Sequence, residues 1–444
     1  MTYLSDAALQ DFIVQGYRVV QPTATADLHG ELHRQVERVL ATGNPGNGLI
    51  DRIPLLHQLF ADPAVDATLT GILGPRYALC RHCHCHDLAP GNQAQNWHKD
   101  YPFGGNVRYH RPRYVLMLYY PHEVTPDMGP TALVPKTQYY MDGPSDEVAG
   151  LPLTCAAGTV VITHYELWHR ATANRSPRTR YMLKFLFTRT QESTPEQRSR
   201  WLPTGRHAAL YRTLWRWYGG QAPALRPQRS VAALQAALRD PDERVRIDAY
   251  YDLGTLGAEG VPVLMAALKD ESARRWQANL ERGDFTNPSQ LESPYGLAAA
   301  GAVAVPALVE ALQDGDWWLR AGAASALGCM GAEAQEAASA LAAALQDDSE
   351  WVCRNAADAL SNMGQVPAAV PALTQALDDS RAMTPWSLSD APLCENAAMA
   401  LAKWRAPTAA VTALHRARQQ GNEYVRSWAE WALDRRFRGS YKPY

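Results

Sequence analysis

Asn96-Trp97-His98-Lys99-Asp100 sets an imidazole and a carboxylate two residues apart. Side chains of a β-strand repeat every two residues, so His98 and Asp100 share a face if this stretch is extended. Lys99 then points to the opposite face and takes no part in the chemistry. A histidine beside a carboxylate supplies two thirds of the 2-His-1-carboxylate facial triad that holds Fe(II) in many oxygenases. By itself H-x-D is a weak signal, so a third ligand, a co-substrate anchor and a scaffold must be sought. Leu167-Trp168-His169 offers the ligand, and Arg180 follows after a polar turn that includes Asn174, Ser176 and Pro177. An arginine there suits a two-pronged grip on a carboxylate better than a lysine would. His164, at the end of the preceding strand, competes with His169 for the ligand role, but it lies further from Arg180 and lacks the Trp-His context.

The whole chain sets the bounds. Its 444 residues are enough for two or three domains, and 46% hydrophobic with 20% charged residues is ordinary globular composition. A formal net charge of −2 implies no general attraction to nucleic acid or to an anionic membrane. The first residues, Met-Thr-Tyr-Leu-Ser-Asp, have neither a basic nor an apolar signal region, and no run of eighteen apolar residues suggests a membrane span. Seven cysteines, an odd number, fit reduced thiols. The expectation is a cytoplasmic protein without membrane or nucleic-acid partners; a homodimer stays open.

The elements that must position the candidate residues can be read in order. Residues 5–16 form a short amphipathic helix with Leu9, Phe12 and Ile13 on one face, Ser5 as cap and Gly16 as stop. Residues 17–22 follow as a strand, 26–41 as a helix, and 54–72 as one further helical stretch. Residues 77–88 alternate Cys83 and Cys85 with His82, His84 and His86. Strand geometry sends the cysteines to one face and the histidines to the other, so they do not converge on one ion. A half-buried strand is the simpler account, with one or two of these side chains open to a pocket. Further strands cover 113–120, 132–135, 158–164 and 181–187. Their short turns suggest an antiparallel barrel or sandwich.

With these residues assembled, about 5–190 resembles the phytanoyl-CoA dioxygenase family of Fe(II)/2-oxoglutarate oxygenases. The resemblance is carried by Phe12 through Pro22, Pro90-Gly91, Trp97-His98-Lys99-Asp100, Gly129-Pro130 leading to Pro135, and Leu167-Trp168-His169 with Asn174, Ser176 and Arg180. It implies a double-stranded β-helix of jelly-roll or cupin-like form, with His98, Asp100 and His169 as iron ligands. It also implies Arg180 as the holder of the distal carboxylate of 2-oxoglutarate, and Thr131 is placed with it as a co-substrate contact. Lys136-Thr137-Gln138 and Ala171 depart from the family pattern, which bears on co-substrate hydrogen bonding and substrate choice rather than on the iron. Enzymes of this broad class that halogenate lack the carboxylate ligand, so Asp100 favours hydroxylation. Tyr101, Arg113 and Trp168 are candidates for the substrate pocket.

The second half is of another kind. Residues 191–225 read as a helical linker, with an aromatic helix over 207–218 carrying Tyr211, Leu214, Trp215 and Tyr218. From 226 to 438 a unit recurs: Val231–Asp240, Val261–Asp270, Val305–Asp314, Ala338–Asp347 and Val370–Asp379, with a weaker copy at Val411–Gln420. Each is followed by an Arg-x-x-Ala-like helix, and several close at a glycine (Gly257, Gly331, Gly364). A two-helix unit cannot bury its apolar face alone, so copies stack; the pattern resembles HEAT-like repeats in an α-solenoid. Insertions near 273–303 and 380–393, with Trp276, Phe285, Tyr295 and Trp386, either reach toward the oxygenase or are surface loops.

Together these readings predict a multidomain α+β and all-α chain, an oxygenase domain over 1–190 and an all-α solenoid after it. The expected reaction uses Fe(II) and 2-oxoglutarate to hydroxylate an aliphatic C–H of a small molecule. A protein or peptide hydroxylase that recruits substrate through the solenoid is one alternative, and a non-catalytic adaptor with a degenerate barrel is the other.

Overall fold

The computed structural model describes residues 4–100, 109–192, 197–282, 290–378 and 392–434. They divide into two compact units, one made of the described residues within 4–100 and 112–190, the other of those within 109–111 and 191–434.

In the N-terminal unit, α1 (Asp6–Gln15) begins where the Ser5 hydroxyl accepts from the Ala8 amide at 3.3 Å. It ends at Gly16 in the left-handed region (φ 81°). A Cβ at Gly16 would stand 2.5 Å from Gln138 Oε1, so glycine is required by space as well as by φ. β1 (Tyr17–Val20) and α2 (Ala26–Leu40), capped by Thr25, follow. The single helix expected over 54–72 is instead broken: α3 (Leu49–Arg52) and α4 (Leu56–Phe60) precede α5 (Pro63–Leu73). The break is made by Asp62. One of its carboxylate oxygens caps α5 at Ala64 N (2.9 Å), and the other accepts from Thr23 Oγ1 (2.7 Å) and Ala24 N (2.9 Å). Pro63 at the first helical position completes a new start. Apolar periodicity continues across that junction, which is why the spacing alone shows one helix.

The strands are β2 (Tyr77–Leu88), β3 (Tyr114–Tyr119), β4 (Thr131–Leu133), β5 (Leu151–Pro152), β6 (Val160–His164), β7 (His169–Ala171) and β8 (Arg180–Arg189). They form a five-stranded antiparallel sheet in the order β1-β6-β3-β8-β2 and a three-stranded one in the order β5-β4-β7. Register decides what the larger sheet presents. His84 pairs with Lys184, His86 with Met182, Leu88 with Arg180, and Leu118 with Lys184. Directly opposed residues share a face, so this set lies on one side of the sheet. Phe185 and Phe187 alternate to the other side, where Phe60 packs edge-on against them at ring distances of 4.9 and 5.6 Å.

The C-terminal unit continues with β9 (Arg198–Arg200), α6 (Ala208–Trp217), β10 (Gly220–Gln221), α7 (Val231–Ala237), α8 (Glu243–Thr255) and α9 (Val261–Arg282). Then come α10 (Ser293–Ala300), α11 (Val305–Ala311), α12 (Trp317–Met330), α13 (Ala338–Ala344) and α14 (Glu350–Asn362). The last are α15 (Val370–Ala376), α16 (Pro392–Lys403), α17 (Val411–Gln420) and α18 (Glu423–Leu433). The second half is helical, as its periodicity predicts. Helices α8, α10, α12, α14, α16 and α18 pack successively side by side. The arginine of the Arg-x-x-Ala pattern explains part of the recurrence. Arg246 grips Glu292 (2.7 Å) and the Asp240 carbonyl (2.9 Å), and Arg320 does the same with Asp347 (2.7 Å) and the Asp314 carbonyl (2.9 Å), each tying its own repeat to the next.

Residues 293–311 are long and apolar enough by composition to cross a bilayer, although 50% of that stretch is buried within the protein. Gly301 (φ 72°) interrupts it between α10 and α11. Trp276 meets the rings of Trp317 and Trp318 in this unit, while Phe285 and Trp386 lie outside the described residues.

Because Asp62 satisfies the start of α5 and the turn before α2 together, Asp62→Ala should destabilise the protein by about 2 kcal/mol in urea unfolding. A stability equal to wild type would refute this account of the broken helix.

Candidate active site

His98 and His169 come together through the backbone. Each donates its amide to the other's carbonyl at 3.0 Å, an isolated antiparallel bridge that sets their side chains on one face with ring centroids 4.5 Å apart. The His98 Nδ1 lies 3.0 Å from the Asn96 carbonyl and the His169 Nδ1 2.9 Å from the Leu167 carbonyl. A carbonyl only accepts, so each Nδ1 carries the proton and each Nε2 keeps a lone pair for a metal. Asp100 joins them, its Oδ2 3.6 Å from His169 Nε2. One ligand atom from each of the three residues falls within 4.8 Å of the others.

Lys184 completes the charge balance, its ammonium 3.0 Å from Asp100 Oδ2. Burial by itself would raise the Asp100 pKa, but the Lys184 ammonium and His169 outweigh it and hold the carboxyl far below its usual range. A carboxylate stays ionised here, ready as a ligand. Lys99 points the other way, as alternation requires. It pairs with Glu166 at 3.8 Å and lies 5.5 Å from the centre of the Trp168 ring.

Arg180 is 1% exposed. Its Nε donates to the Gly129 carbonyl at 3.2 Å, and its buried Nη1 has no hydrogen-bond partner. A buried guanidinium nitrogen in that condition is costly unless an anion meets it. The turn before β8 explains the placement. Asn174 donates to the Leu88 and Arg178 carbonyls, both at 2.8 Å, and accepts from Ser176 N (3.0 Å) and Oγ (2.8 Å). Gly129 (φ 70°) is held against it so closely that a Cβ would stand 2.7 Å from the Thr172 carbonyl.

A cavity of about 250 Å³ is lined by His98, His169, Arg180, Lys184 and Thr131, with Leu88, Leu118, Ala171 and Met182 among its apolar walls. His84 and His86 line it as well, as do their strand neighbours Cys85 and Asp87, while Cys83 is buried and not part of the lining. Alternation therefore does not divide this strand cleanly at the cavity: His84 and His86 reach it, but so does Cys85 between them, and His82 is not among the lining residues. Burial, followed by the nearby Lys184 charge, lowers the pKa of His82 to about 4 and of His86 to about 3, so both are neutral at physiological pH. Lys184 itself was not singled out from the sequence. A lone lysine inside the apolar run Met182-Leu-Lys-Phe-Leu-Phe187 is the signal that would have found it.

Among the described residues lining the cavity, Arg113 and Trp168 do not appear. Arg113 is buried just before the start of β3, and Trp168, just before β7, has its ring 5.5 Å from the Lys99 ammonium. Tyr101 lies outside the described residues. His164 is buried at the end of β6, its Nδ1 accepting the Glu166 amide at 3.2 Å, and stands apart from the three-residue cluster.

Two histidines at a cavity wall with a carboxylate clustered beside them, and a buried arginine with an unmet donor on the same cavity, suit a 2-oxoglutarate-dependent non-haem oxygenase, the enzyme class of this chain. Residues 10–182 match the phytanoyl-CoA dioxygenase family and residues 304–384 match HEAT repeats, so the chain carries a domain of that dioxygenase family followed by HEAT repeats. Among solved structures it is similar to EctD from S. alaskensis with 2-oxoglutarate and 5-hydroxyectoine (TM-score 0.37, 19% identity, 42% of this chain and 77% of that one). It is also similar to HygX from Streptomyces hygroscopicus with nickel and 2-oxoglutarate (TM-score 0.36, 14% identity, 44% and 90%). A third is CytC3 with Fe(II) and alpha-ketoglutarate (TM-score 0.35, 19% identity, 43% and 79%).

The buried neutral histidines fix a pH dependence. Their folded pKa values lie below the unfolded value of about 6.5, so the stability they contribute is complete above that pH and falls as pH drops toward about 4 and 3. Chemical denaturation of the metal-free protein should show this acid slope, and His82→Gln with His86→Gln should flatten it. An unaltered slope in the double variant would contradict the assignment.

Proposed function

We propose that the enzyme hydroxylates an aliphatic C–H of a small molecule, coupled to conversion of 2-oxoglutarate to succinate and CO2. The observation that carries this reading is Arg180, whose buried Nη1 awaits an anion in the cavity that His98 and His169 also line. We read the two antiparallel sheets as a double-stranded β-helix and the helical repeats as an α-solenoid. On the same reading, residues 1–190 form the oxygenase domain, 191–225 the join and 226–438 the solenoid.

The residues present fit the iron and its co-substrate. His98 and His169 would hold Fe(II) through Nε2 and Asp100 through a carboxylate oxygen, and the two Nδ1–carbonyl bonds keep the rings in the tautomer this needs. Lys184 holds the Asp100 carboxylate in place and balances its charge. Arg180 would take the distal carboxylate of 2-oxoglutarate, with Thr131 beside it on the cavity wall. When bound, iron and the keto acid supply the oxidation: one oxygen atom of O2 goes to succinate and the other enters the substrate C–H. Leu88, Leu118 and Met182 supply the apolar part of a wall that is otherwise largely polar.

Succinate formation from 2-oxoglutarate with Fe(II) tests the proposal. Wild type should turn over, and His98→Ala should lose both iron binding and succinate formation. Absence of turnover in wild type across a broad substrate screen, together with absent iron binding, would sink it. Arg180→Ala should keep iron yet raise the KM for 2-oxoglutarate roughly 10- to 100-fold; an unchanged KM would remove Arg180 from the co-substrate site.

A further inference from the structure

The four residues that flank His98 and His169 pair with one another across the bridge. The two histidines exchange both of their backbone hydrogen bonds, so the neighbours on either side stand opposite each other: Trp97 faces Arg170, and Lys99 faces Trp168. Each pair sets a cation against an indole. The Arg170 guanidinium lies 4.2 Å from the centre of the Trp97 ring, and the Lys99 ammonium lies 5.5 Å from that of Trp168. Each segment contributes one indole and one cation, in crossed order. None of the four is among the residues that line the cavity.

The surroundings hold both stacks in place. Gly150 lies against Trp97, where an added Cβ would stand 2.6 Å from the ring, and Gly143 lies against Trp168, where it would stand at 3.1 Å. The buried Nε of Arg170 has no hydrogen-bond partner, so the Trp97 ring is what meets that side of the guanidinium. Thr137 serves both members of the other pair. Its hydroxyl accepts from the Trp168 amide at 3.3 Å, and its carbonyl accepts from Lys99 Nζ at 3.5 Å. Thr137 is the middle residue of Lys136-Thr137-Gln138, the segment that departs from the family pattern, and this contact gives the departure a task. Lys99 is 5% exposed. Burying cations behind the histidines costs more than burying apolar side chains of the same volume, and what the pairs add in return is direction.

We propose that Trp97 with Arg170 and Lys99 with Trp168 are positioning pairs, which hold the two histidines at the spacing a metal requires. The proposal rests on the reading of His98 and His169 as iron ligands. The bridge that joins them is isolated, so its two backbone bonds have no ladder on either side to keep them in line. Twisting either segment about its own axis would swing one imidazole away from the other. A stacked pair on each side of the bridge opposes that twist, and the ring separation of 4.5 Å is set before any metal arrives.

The test uses full-length protein. Fe(II) is titrated anaerobically into the metal-free protein against a chromophoric chelator, with His98→Ala as the control for the site. Hydrogen exchange of the His98 and His169 amides in the metal-free protein is recorded alongside, as is urea unfolding. Arg170→Met and Trp97→Leu should each weaken Fe(II) binding roughly 10-fold and speed the exchange of both amides. Their double variant should be no weaker than either, because both remove the same contact. Trp168→Leu should act in the same direction, and joined to Arg170→Met it should exceed either alone. Arg170→Lys, which keeps the charge, gives a milder loss and serves if the others fail to fold. Asp62→Ala, which lowers stability through the cap of α5, should leave Fe(II) affinity unchanged. If wild type binds iron in a His98-dependent way and the pair variants bind it equally well, the positioning role is overturned while the iron reading stands. Equal weakening by Asp62→Ala overturns it too, since general stability would then account for the loss. If wild type binds no iron, the iron reading fails and takes the positioning role with it.

Discussion

Asp100 and Lys184 face each other across 3.0 Å in a place where both side chains are largely shielded from water. The rest of the N-terminal unit is constrained by that pair. A buried carboxylate without its ammonium would protonate or destabilise the fold, and a buried ammonium without its carboxylate would be equally unfavourable. Meeting the constraint requires β8 to lie between β3 and β2 in one register, so that Lys184 comes level with Leu118 and His84. A slip by one residue would turn Arg180 and Lys184 together into the aromatic side beside Phe60, while Phe185 and Phe187 entered the cavity. Two cations on alternate positions of one apolar strand therefore specify register as strongly as the apolar residues do.

The other end of the cavity is built by local turn chemistry. Asn174 closes its own turn through Ser176 and Arg178 and reaches across to Leu88, while Gly129 approaches where no side chain would fit. That arrangement aims Arg180 inward and uses the Gly129 carbonyl to hold its Nε. Anchor and ligands are thus set by separate devices, a turn for one and a two-histidine backbone bridge for the other.

The helical unit uses two rows of its repeat for two purposes. Arg246 and Arg320 fasten one repeat to the next through carboxylates and carbonyls. The row containing Tyr251, Tyr295 and Asp358 instead faces Tyr109 and His110. The same two-helix unit provides stacking on one side and polar recognition on the other, since a helix presents different faces at different offsets.

Much of this was legible in the chain. Ser5 and Gly16 bound a helix by cap chemistry that depends on neighbours three residues away. The pattern His98-x-Asp100 and His169 named the three residues that the structure clusters, and Arg180 lines the same cavity as the two histidines. Other features were out of reach of spacing. The break at Asp62 depends on Thr23 and Ala24, far away in sequence. Lys184, His84 and His86 enter the cavity through cross-strand register, while Arg113, expected on the strand after the motif, and Trp168, beside the third ligand, are not among its lining residues. The sequence by itself determined the element types and the chemistry of the ligand set, because caps, periodicity and ligand type are local properties. Only the tertiary structure decided which side chains share the cavity and which chain segment the repeats hold, because those follow from pairing between residues that the chain keeps far apart.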